Sequence, residues 1–353
     1  MKKLLLASAV AALSITAAQA APTVYGKAFL TLDINEGDTK TTNVATGEVT
    51  KTSDRGRSQL NSVASRIGFK GSEALTANTD LVYQLEYRLD VDKDAARNFE
   101  SRDTYLGLSN KQYGTLVAGR LSAIDDYIQY AKVVKGGVLG GDDSLARISA
   151  PRANNTFAYF TPSYNGLQGM AMYTLDENNS SDNLGGDAWG VGVKYEPSDM
   201  PLKAGLTYIQ ANQLGAAKDT TTLGGGENAN LIRLSGAYGI TPELTIGGQY
   251  QLSDFNTADN ENAFMLSGKY KLAQTPWSVY SQVDYVDSYA GLKDSERTRL
   301  AVGATYDFNK ATTGHIYGAY LKEDSSNATS TTAATTKVKF DGVGIGGGIE
   351  YKF

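Results

Sequence analysis

Residues 81–91, LVYQLEYRLDV, alternate between two kinds of side chain, and this alternation decides the fold. One set is apolar or aromatic: Leu81, Tyr83, Leu85, Tyr87, Leu89 and Val91. The other set is mostly polar or charged: Val82, Gln84, Glu86, Arg88 and Asp90. Because successive side chains of a strand point to opposite faces, this stretch has one apolar and one wet face. A charged inner face and an apolar outer face are typical of a membrane-spanning β-barrel.

The same alternation recurs along the chain, beginning with TVYGKAFLTLDI at 23–34. It predicts sixteen strands, at 23–34, 59–70, 78–91, 101–109, 114–121, 152–161, 167–175, 188–196, 201–210, 229–239, 243–253, 261–272, 276–287, 296–308, 313–322 and 337–353. An even number of antiparallel strands is what a closed bacterial barrel requires. The predicted fold is therefore all-β, a 16-stranded antiparallel transmembrane β-barrel that takes up residues 21–353 as one domain.

The connections between these strands form two alternating sets. Seven are short, at 71–77, 110–113, 162–166, 197–200, 240–242, 273–275 and 309–312. Eight are longer and polar, at 35–58, 92–100, 122–151, 176–187, 211–228, 254–260, 288–295 and 323–336. Short periplasmic turns and long external loops are the outer-membrane arrangement. The third external loop, within Gly119–Arg152, is the longest, and such loops are usually functional, so we expect it to fold into the lumen and narrow it.

Residues 1–20, MKKLLLASAVAALSITAAQA, have a basic start, a short apolar run and a small-residue end at Ala20. This pattern predicts a secretory signal peptide that is cleaved before Ala21. Its loss removes two lysines, which leaves 31 basic against 38 acidic residues and a net charge of −7. That balance argues against a nucleic-acid partner. The absence of cysteine excludes disulfides, thiol nucleophiles and thiolate metal sites.

Register alone turns Lys27 and Arg66 inward, because an arginine facing lipid near the midplane would cost about 2–4 kcal/mol. The two residues belong either to a pore constriction or to an ordinary solvated lumen. The same reading leaves Asp103 outward, where it would prefer a protein contact to lipid.

Acids at both ends of the third loop are candidates for its side of a constriction. Asp125 and Asp126 come where an inward loop would first cross the lumen, and Asp142 and Asp143 come later. A solvated loop without such a role is the alternative for all four.

Five segments together resemble the trimeric general porins of Gram-negative outer membranes, of the neisserial and related proteobacterial type. They are Tyr25-Gly26-Lys27, SRIGFKG at 65–71, LVAGR at 116–120, RANNTFAYFTPSYNGL at 152–167 and the ending IEYKF. Each is short, but together they span the chain from the first predicted strand to the last. The resemblance implies a pore for ions and small hydrophilic solutes, with a third loop bent into the lumen.

The resemblance also implies site residues and partners. The implied basic wall of the constriction consists of Lys27, Arg66, Arg102 and, less closely matched, Arg152. Phe353 resembles the terminal aromatic residue that the outer-membrane assembly machinery reads, and a homotrimer surrounded by outer-membrane lipid and lipopolysaccharide is implied. The loop departs from the enteric pattern, because Lys132 and Lys135 stand where those members have an acidic turn. The sign of the ion preference is therefore left open.

The sequence shows no residue pattern typical of an enzyme active site. Its single histidine, His315, follows a predicted periplasmic turn and has no serine or acid beside it by spacing. The string GVGIGG at 342–347 has the spacing of a dinucleotide-binding motif but lacks a following helix. We therefore predict no catalytic site, cofactor or metal. The predicted function is passive diffusion of small hydrophilic solutes through an outer-membrane pore; a substrate-specific channel and a surface adhesin on the same barrel are the alternatives.

Overall fold

The computed structural model describes residues 22–93, 99–139, 141, 145–149, 151–175, 187–211, 229–255, 259–326 and 334–353. In these ranges it contains two short 3₁₀ helices, Ile124–Ile128 and Tyr289–Gly291, and seventeen strand segments. The strands are β1 (Thr23–Asn43), β2 (Val49–Ser62), β3 (Arg66–Ala74), β4 (Thr79–Arg88), β5 (Glu100–Asn110), β6 (Gly114–Ser122), β7 (Arg152–Phe160), β8 (Leu167–Thr174), β9 (Ala188–Tyr195), β10 (Leu202–Ala211), β11 (Ala229–Gly239), β12 (Leu244–Asp254), β13 (Glu261–Lys271), β14 (Trp277–Asp287), β15 (Glu296–Asp307), β16 (Thr312–Ser326) and β17 (Thr336–Lys352).

All strands belong to one antiparallel sheet that closes on itself. From β3 to β17 each strand pairs with the next one in sequence, and β1 pairs with β17, where Leu30 lies opposite Ile349. Both β2 and β3 pair with β1, so they are two parts of one crossing. The barrel therefore has sixteen crossings, which confirms the predicted fold class.

Residues 63–65 separate β2 from β3 and fix the position of Arg66. Ala64 has a positive φ of 50°, which breaks the ladder at this point. The Ser65 hydroxyl replaces part of it by accepting a hydrogen bond from the Phe29 backbone N–H at 3.0 Å. With the ladder restored in β3, Arg66 lies directly opposite Lys27 of β1.

The two faces of the barrel have opposite character. The outer face exposes large apolar side chains, such as Leu266 at 66% and Ile345 at 64%. The inner face carries buried polar groups such as Gln282 and Arg299. This is the arrangement expected when lipid surrounds the barrel and water fills it. No helix in the described part of the chain is long and apolar enough to cross a membrane.

The first external loop is much shorter than predicted. β1 continues to Asn43 and β2 begins at Val49, so only residues 44–48 turn, whereas the sequence pattern predicted a loop over 35–58. The extension is rich in threonine, which favours strands. The extension could not be recognised from apolar alternation, because neither of its faces contacts lipid. β16 likewise runs on to Ser326, into the loop predicted at 323–336.

Two sets of predictions fall outside the described residues. One is the signal peptide at 1–20, and the other is the acid pair Asp142 and Asp143.

Candidate functional site

The third external loop begins with the 3₁₀ helix Ile124–Ile128, which packs on the inner face of the barrel. Ile124 and Ile128 are fully buried. They join an apolar cluster with inward side chains of β8 to β11, namely Met170, Met172, Ala188, Ile209, Ala211, Ala229 and Leu231. Gly205 permits this approach, since a Cβ there would lie 2.3 Å from Ile128 Cγ2. The start of the loop is therefore packed against the wall.

A buried ion pair fixes the same part of the loop. Asp125 Oδ2 lies 3.2 Å from Arg233 Nη2 on β11, and both side chains are at most 2% exposed. Arg233 Nη1 also donates to the backbone oxygen of Asp125 at 3.1 Å. Gln251 accepts from Arg233 and donates to the backbone oxygen of Ile148 at 2.8 Å. Because Ile148 is on the returning part of the loop, this network ties both ends of the loop to one place.

The middle of the loop is held by β14 and β16. Gln282 Oε1 accepts hydrogen bonds from the backbone N–H groups of Val133 and Val134, at 3.1 and 3.3 Å. Gly136 has a φ of +112°, and a Cβ there would lie 2.1 Å from the Tyr317 ring. Glycine is thus required at this turn both for the backbone angle and for the close contact.

The returning part of the loop is held by a second buried arginine. Arg299 of β15 forms an ion pair with Asp284 at 2.9 Å and is fully buried. Its Nη1 donates to the backbone oxygen of Gly141 at 2.9 Å. Further along, Glu261 accepts from the Arg147 N–H at 3.1 Å. We call the inner face that carries Arg233, Gln251, Gln282 and Arg299 the covered wall.

Cations lie on the rest of the inner face. Lys27, Arg66 and Arg88 are directly opposite one another across β1, β3 and β4. Arg102 on β5 and Arg152 on β7 continue the group. We call these five residues the open wall. Like charges directly opposite in a sheet are unfavourable unless other groups compensate them.

Buried acids provide that compensation. The Glu86 carboxylate lies 2.6 Å from Arg102 Nε and 3.4 Å from Arg66 Nε, and it accepts from the Tyr25 hydroxyl at 3.1 Å. The side chain of Glu86 is 8% exposed, whereas that of Arg66 is 32% exposed. Arg88 is likewise 37% exposed beside an Asp90 that is 3% exposed. The accessible surface of these pairs is therefore cationic although the pairs are neutral.

Asp103 lies inside the barrel, so the prediction that it faces outward is wrong. It forms an ion pair with Arg152 at 3.0 Å and accepts from the Ser122 N–H at 2.9 Å. The pairing of β4 with β5 shifts register between Leu85 and Tyr87, which places an extra residue on β5. Strict alternation fails at such a bulge.

The structure separates the neighbouring acids Asp125 and Asp126. Asp125 is buried against Arg233, on the covered wall. Asp126 is half-buried and accepts from Gln129 Nε2 at 2.5 Å. Burial raises the pKa of Asp126, Asp125 and Asp103 raise it further, and Arg152 opposes them. The open-wall residue Arg152 therefore acts on the charge of Asp126.

Comparison with known proteins identifies the family. A family model described as Gram-negative porin matches residues 6–328. The chain belongs to the Gram-negative porin family. The porin is 26% identical to the major outer membrane protein P.IB of Neisseria sicca, over 92% of this chain and 94% of that one. It is 25% identical to P.IA of Neisseria meningitidis strain H44/76, over 83% and 85%. It is an outer-membrane channel protein, which confirms the predicted family, location and channel function.

Solved structures show the same fold. The anion-selective porin from Comamonas acidovorans superposes with a TM-score of 0.67 at 20% identity, over 95% of this porin and all of that chain. The trimer form of OmpT from Vibrio cholerae gives a TM-score of 0.64 at 17% identity, over 94% and 100%. Family membership indicates a channel rather than an enzyme.

The remaining predicted site residues of the porin lie in different surroundings. Lys27 Nζ is 5.4 Å from the centre of the Phe29 ring. The loop residues Lys132 and Lys135 are partly exposed. Phe353 pairs its backbone with Gly26, at 2.9 and 3.2 Å, and so extends the seam between the first and last strands.

His315 is part of the inner wall of the porin. It is 8% exposed, its Nε2 lies 3.3 Å from Glu350 Oε2, and its ring centre is 4.7 Å from that of Phe29. Among the described residues, no group of three or more histidine, cysteine or acidic side chains could hold a metal ion.

Sequence reasoning missed the residues that hold the loop. Arg233, Gln282 and Arg299 were not identified as site residues. The available signal was their inward register, since each stands between outward residues, as Arg233 does between Ile232 and Leu234. Register locates such a residue on the inner face, but it does not show which loop atoms it binds.

Proposed function

We propose that the porin is a general diffusion pore that passes small hydrophilic solutes and ions according to size, with a preference for anions. The observation that carries this proposal is the attachment of the third loop to the covered wall, opposite the cations of the open wall. Sixteen strands leave an aqueous channel, and a loop held across one side of it reduces its bore. The constriction then lies between the loop and the open wall.

The anion preference follows from which charges solvent can reach. Rings of charged side chains set pore selectivity at short range. Arg66 and Arg88 are each about one third exposed, while Glu86 and Asp90 beside them are almost fully buried. Asp125 is neutralised by Arg233. The anion selectivity of the structurally similar Comamonas acidovorans porin agrees with this proposal.

The loop contributes charges of both signs to the proposed constriction. Lys132 and Lys135 are partly exposed on it, and the charge of Arg152 acts on Asp126. We propose Lys27, Arg66, Arg102 and Arg152 as the basic side of the constriction and Asp126 as its acidic side. Asp125 serves to hold the loop instead.

The sign of the ion preference and the size limit for solutes can be measured in planar bilayers. We expect the reversal potential in a KCl gradient to have the sign of chloride preference, and conductance to be blocked progressively by smaller but not larger neutral polymers. Cation preference would refute the charge argument. Conductance near zero would favour an adhesin, and current that saturates with one sugar only would favour a substrate-specific channel.

We further propose that the porin is a homotrimer in contact with outer-membrane lipid and lipopolysaccharide, exported by a signal peptide cleaved after Ala20 and without enzymatic activity. The trimer form of Vibrio cholerae OmpT supports the oligomeric state, and mass spectrometry of the intact native assembly tests both it and the cleavage site. Phe353 is proposed as the residue that the assembly machinery reads. If so, Phe353→Ala lowers the amount of assembled porin in cells, whereas Phe353→Trp does not, and refolding in detergent is unchanged in both.

A further inference from the structure

Glu261, the first residue of β13, carries a buried carboxylate on the inner face of the barrel. Its exposed fraction is 0%. Three neutral groups donate hydrogen bonds to it. A carboxylate that has been taken out of water is stable only if its oxygens accept enough hydrogen bonds or meet a cation. The donors around Glu261 therefore indicate which parts of the protein it holds.

Two of these donors belong to different loops. The backbone N–H of Arg147, on the returning part of the third loop, lies 3.1 Å from each carboxylate oxygen of Glu261. The backbone N–H of Ala290, in the external loop between β14 and β15, lies 2.9 Å from Oε2. The hydroxyl of Ser253 on the adjacent strand donates at 3.3 Å. One buried side chain thus binds the pore loop and a surface loop together.

The external loop is bent at the point where it meets Glu261. Ser288 has a φ of 52° and Ala290 a φ of 58°, both in the left-handed region. A residue with a Cβ rarely takes this conformation, which persists only where the surrounding contacts hold it. The loop is closed by a hydrogen bond of 2.9 Å from the Tyr289 N–H to the Ser295 oxygen. The bend directs a backbone donor of the surface loop towards the inside of the barrel.

The two loops also share an apolar cluster. Leu145 and Ala146 of the third loop are buried in it together with Leu321 of β16, and the Tyr289 ring packs against the same cluster. The Arg297 guanidinium lies 3.4 Å from the centre of that ring, a cation–π contact that restrains it. The returning part of the third loop is therefore held by the barrel wall and by the external loop together.

We propose that Glu261 is a positioning residue for the pore, through which the external loop 288–295 braces the returning part of the third loop. This role rests on the proposed function, because it concerns the loop that forms the proposed constriction. The barrel wall lies behind residues 145–149, so a loosened segment can move only towards the lumen. Without the brace, the segment should enter the ion path repeatedly and interrupt the current.

The test uses substitutions at Ala290, which is not part of the third loop. Ala290→Pro removes the N–H and forbids the positive φ, whereas Ala290→Gly keeps the N–H and favours that φ. In planar bilayers at constant voltage, we expect open-channel noise and brief partial closures to increase severalfold in Ala290→Pro and not to increase in Ala290→Gly. Glu261→Gln should behave like Ala290→Pro, because an amide has one acceptor oxygen in place of two.

Ala45→Pro is the matched control for the external surface. Ala45 lies in the turn between β1 and β2, and its N–H donates to Asn43 Oδ1 at 3.0 Å. The same substitution therefore removes a comparable hydrogen bond from another external connection, and its current should be as quiet as that of the unchanged porin. A heat-modifiability gel shows which variants are folded. If Ala290→Pro is not, Tyr289→Ala replaces it, because that variant removes the shared ring and keeps the backbone donor.

Combining Ala290→Pro with Glu261→Gln should add no further noise, because both break the same contact. A quiet Ala290→Pro channel in a folded barrel would overturn the brace, and noise in Glu261→Gln alone would mean that the carboxylate acts on the third loop without the external loop. Deletion of 123–145 distinguishes this failure from that of the proposed function. Higher conductance in the deletion beside a quiet Ala290→Pro channel refutes only the brace, whereas unchanged conductance in the deletion refutes the constriction itself.

Discussion

The open wall and the covered wall use the same residue type in two ways. Arg66 and Arg88 are about one third exposed and leave part of each guanidinium group in the lumen. Arg233 and Arg299 are at most 1% exposed, and their donors are directed to loop carbonyls and carboxylates. An arginine on the inner face of this barrel is therefore exposed to the lumen only where the loop does not cover it.

The difference follows from what lies above each wall. Inward residues of β8 to β11 that pack beneath the loop are apolar, such as Met170, Met172 and Leu231, so the loop excludes water when it packs there. A charge in that dry layer must be paired, and its donors must all be used. The open wall has no such cover, and its acids can lie beneath its arginines.

Removing the loop should abolish the distinction between the two walls. Deletion of 123–145 removes the cover from the apolar cluster and widens the bore, so we expect single-channel conductance and the polymer size limit to rise severalfold. An internal control is the folded fraction on a heat-modifiability gel, which should remain high because the sheet is intact. Unchanged conductance in a folded variant would show that the loop does not narrow the pore.

Replacing Arg233, one of the residues that hold the third loop, should loosen the loop without removing it. Arg233→Met leaves Asp125 buried and uncompensated, so the free energy of unfolding should fall by about 3–5 kcal/mol. Urea titration in lipid vesicles, followed by tryptophan fluorescence, measures this, and open-channel noise should increase.

The double variant Asp125→Leu/Arg233→Met is the control for this anchor. Replacing both charges by apolar groups should recover most of the lost free energy. If it is as unstable as the single variant, the ion pair is not what holds the loop.

On the open wall, Arg66→Ala should change selectivity and leave stability nearly unchanged. A unit positive charge about 4 Å from an ion in water favours an anion by about 1 kcal/mol and disfavours a cation by the same amount, so the anion-to-cation permeability ratio should fall by no more than about 30-fold. Reversal potentials in a KCl gradient provide the measurement, with Arg66→Lys as the charge-preserving control. A permeability ratio that does not move would exclude Arg66 from the constriction.

The smallest effect concerns Asp126. Because burial raises the pKa of Asp126, this carboxyl should take up its proton at a higher pH than an ordinary aspartate as the solution is acidified. Protonation removes a negative charge beside Arg152, so anion preference should increase at acid pH. Asp126→Asn should show the higher preference already at neutral pH and lack this part of the pH response. The same pH response in both proteins would place Asp126 away from the ion path.

Much of the barrel could be predicted because alternation is a local property. The strand limits follow the predicted ones within a few residues wherever one face meets lipid. They fail at 35–58, where β1 and β2 continue through threonine-rich sequence beyond the membrane. The inward position of Lys27 and Arg66 was predictable for the same reason, whereas Asp103 was misplaced because a bulge interrupts the period of two.

By itself, the sequence determined that this protein is an outer-membrane barrel with a long third loop. Apolar alternation and the lengths of the connections can both be read from consecutive residues, and the cost of placing a charge in lipid fixes which face of each strand points inward. Only the tertiary structure decided which charges are buried in ion pairs and which remain exposed to the lumen. Asp125 and Asp126 are adjacent in sequence, yet Asp125 is buried in an ion pair with Arg233, more than a hundred residues away, and Asp126 is only partly buried, with Arg152 acting on its charge. Pairing across the lumen depends on how the loop packs, and no local pattern specifies that packing.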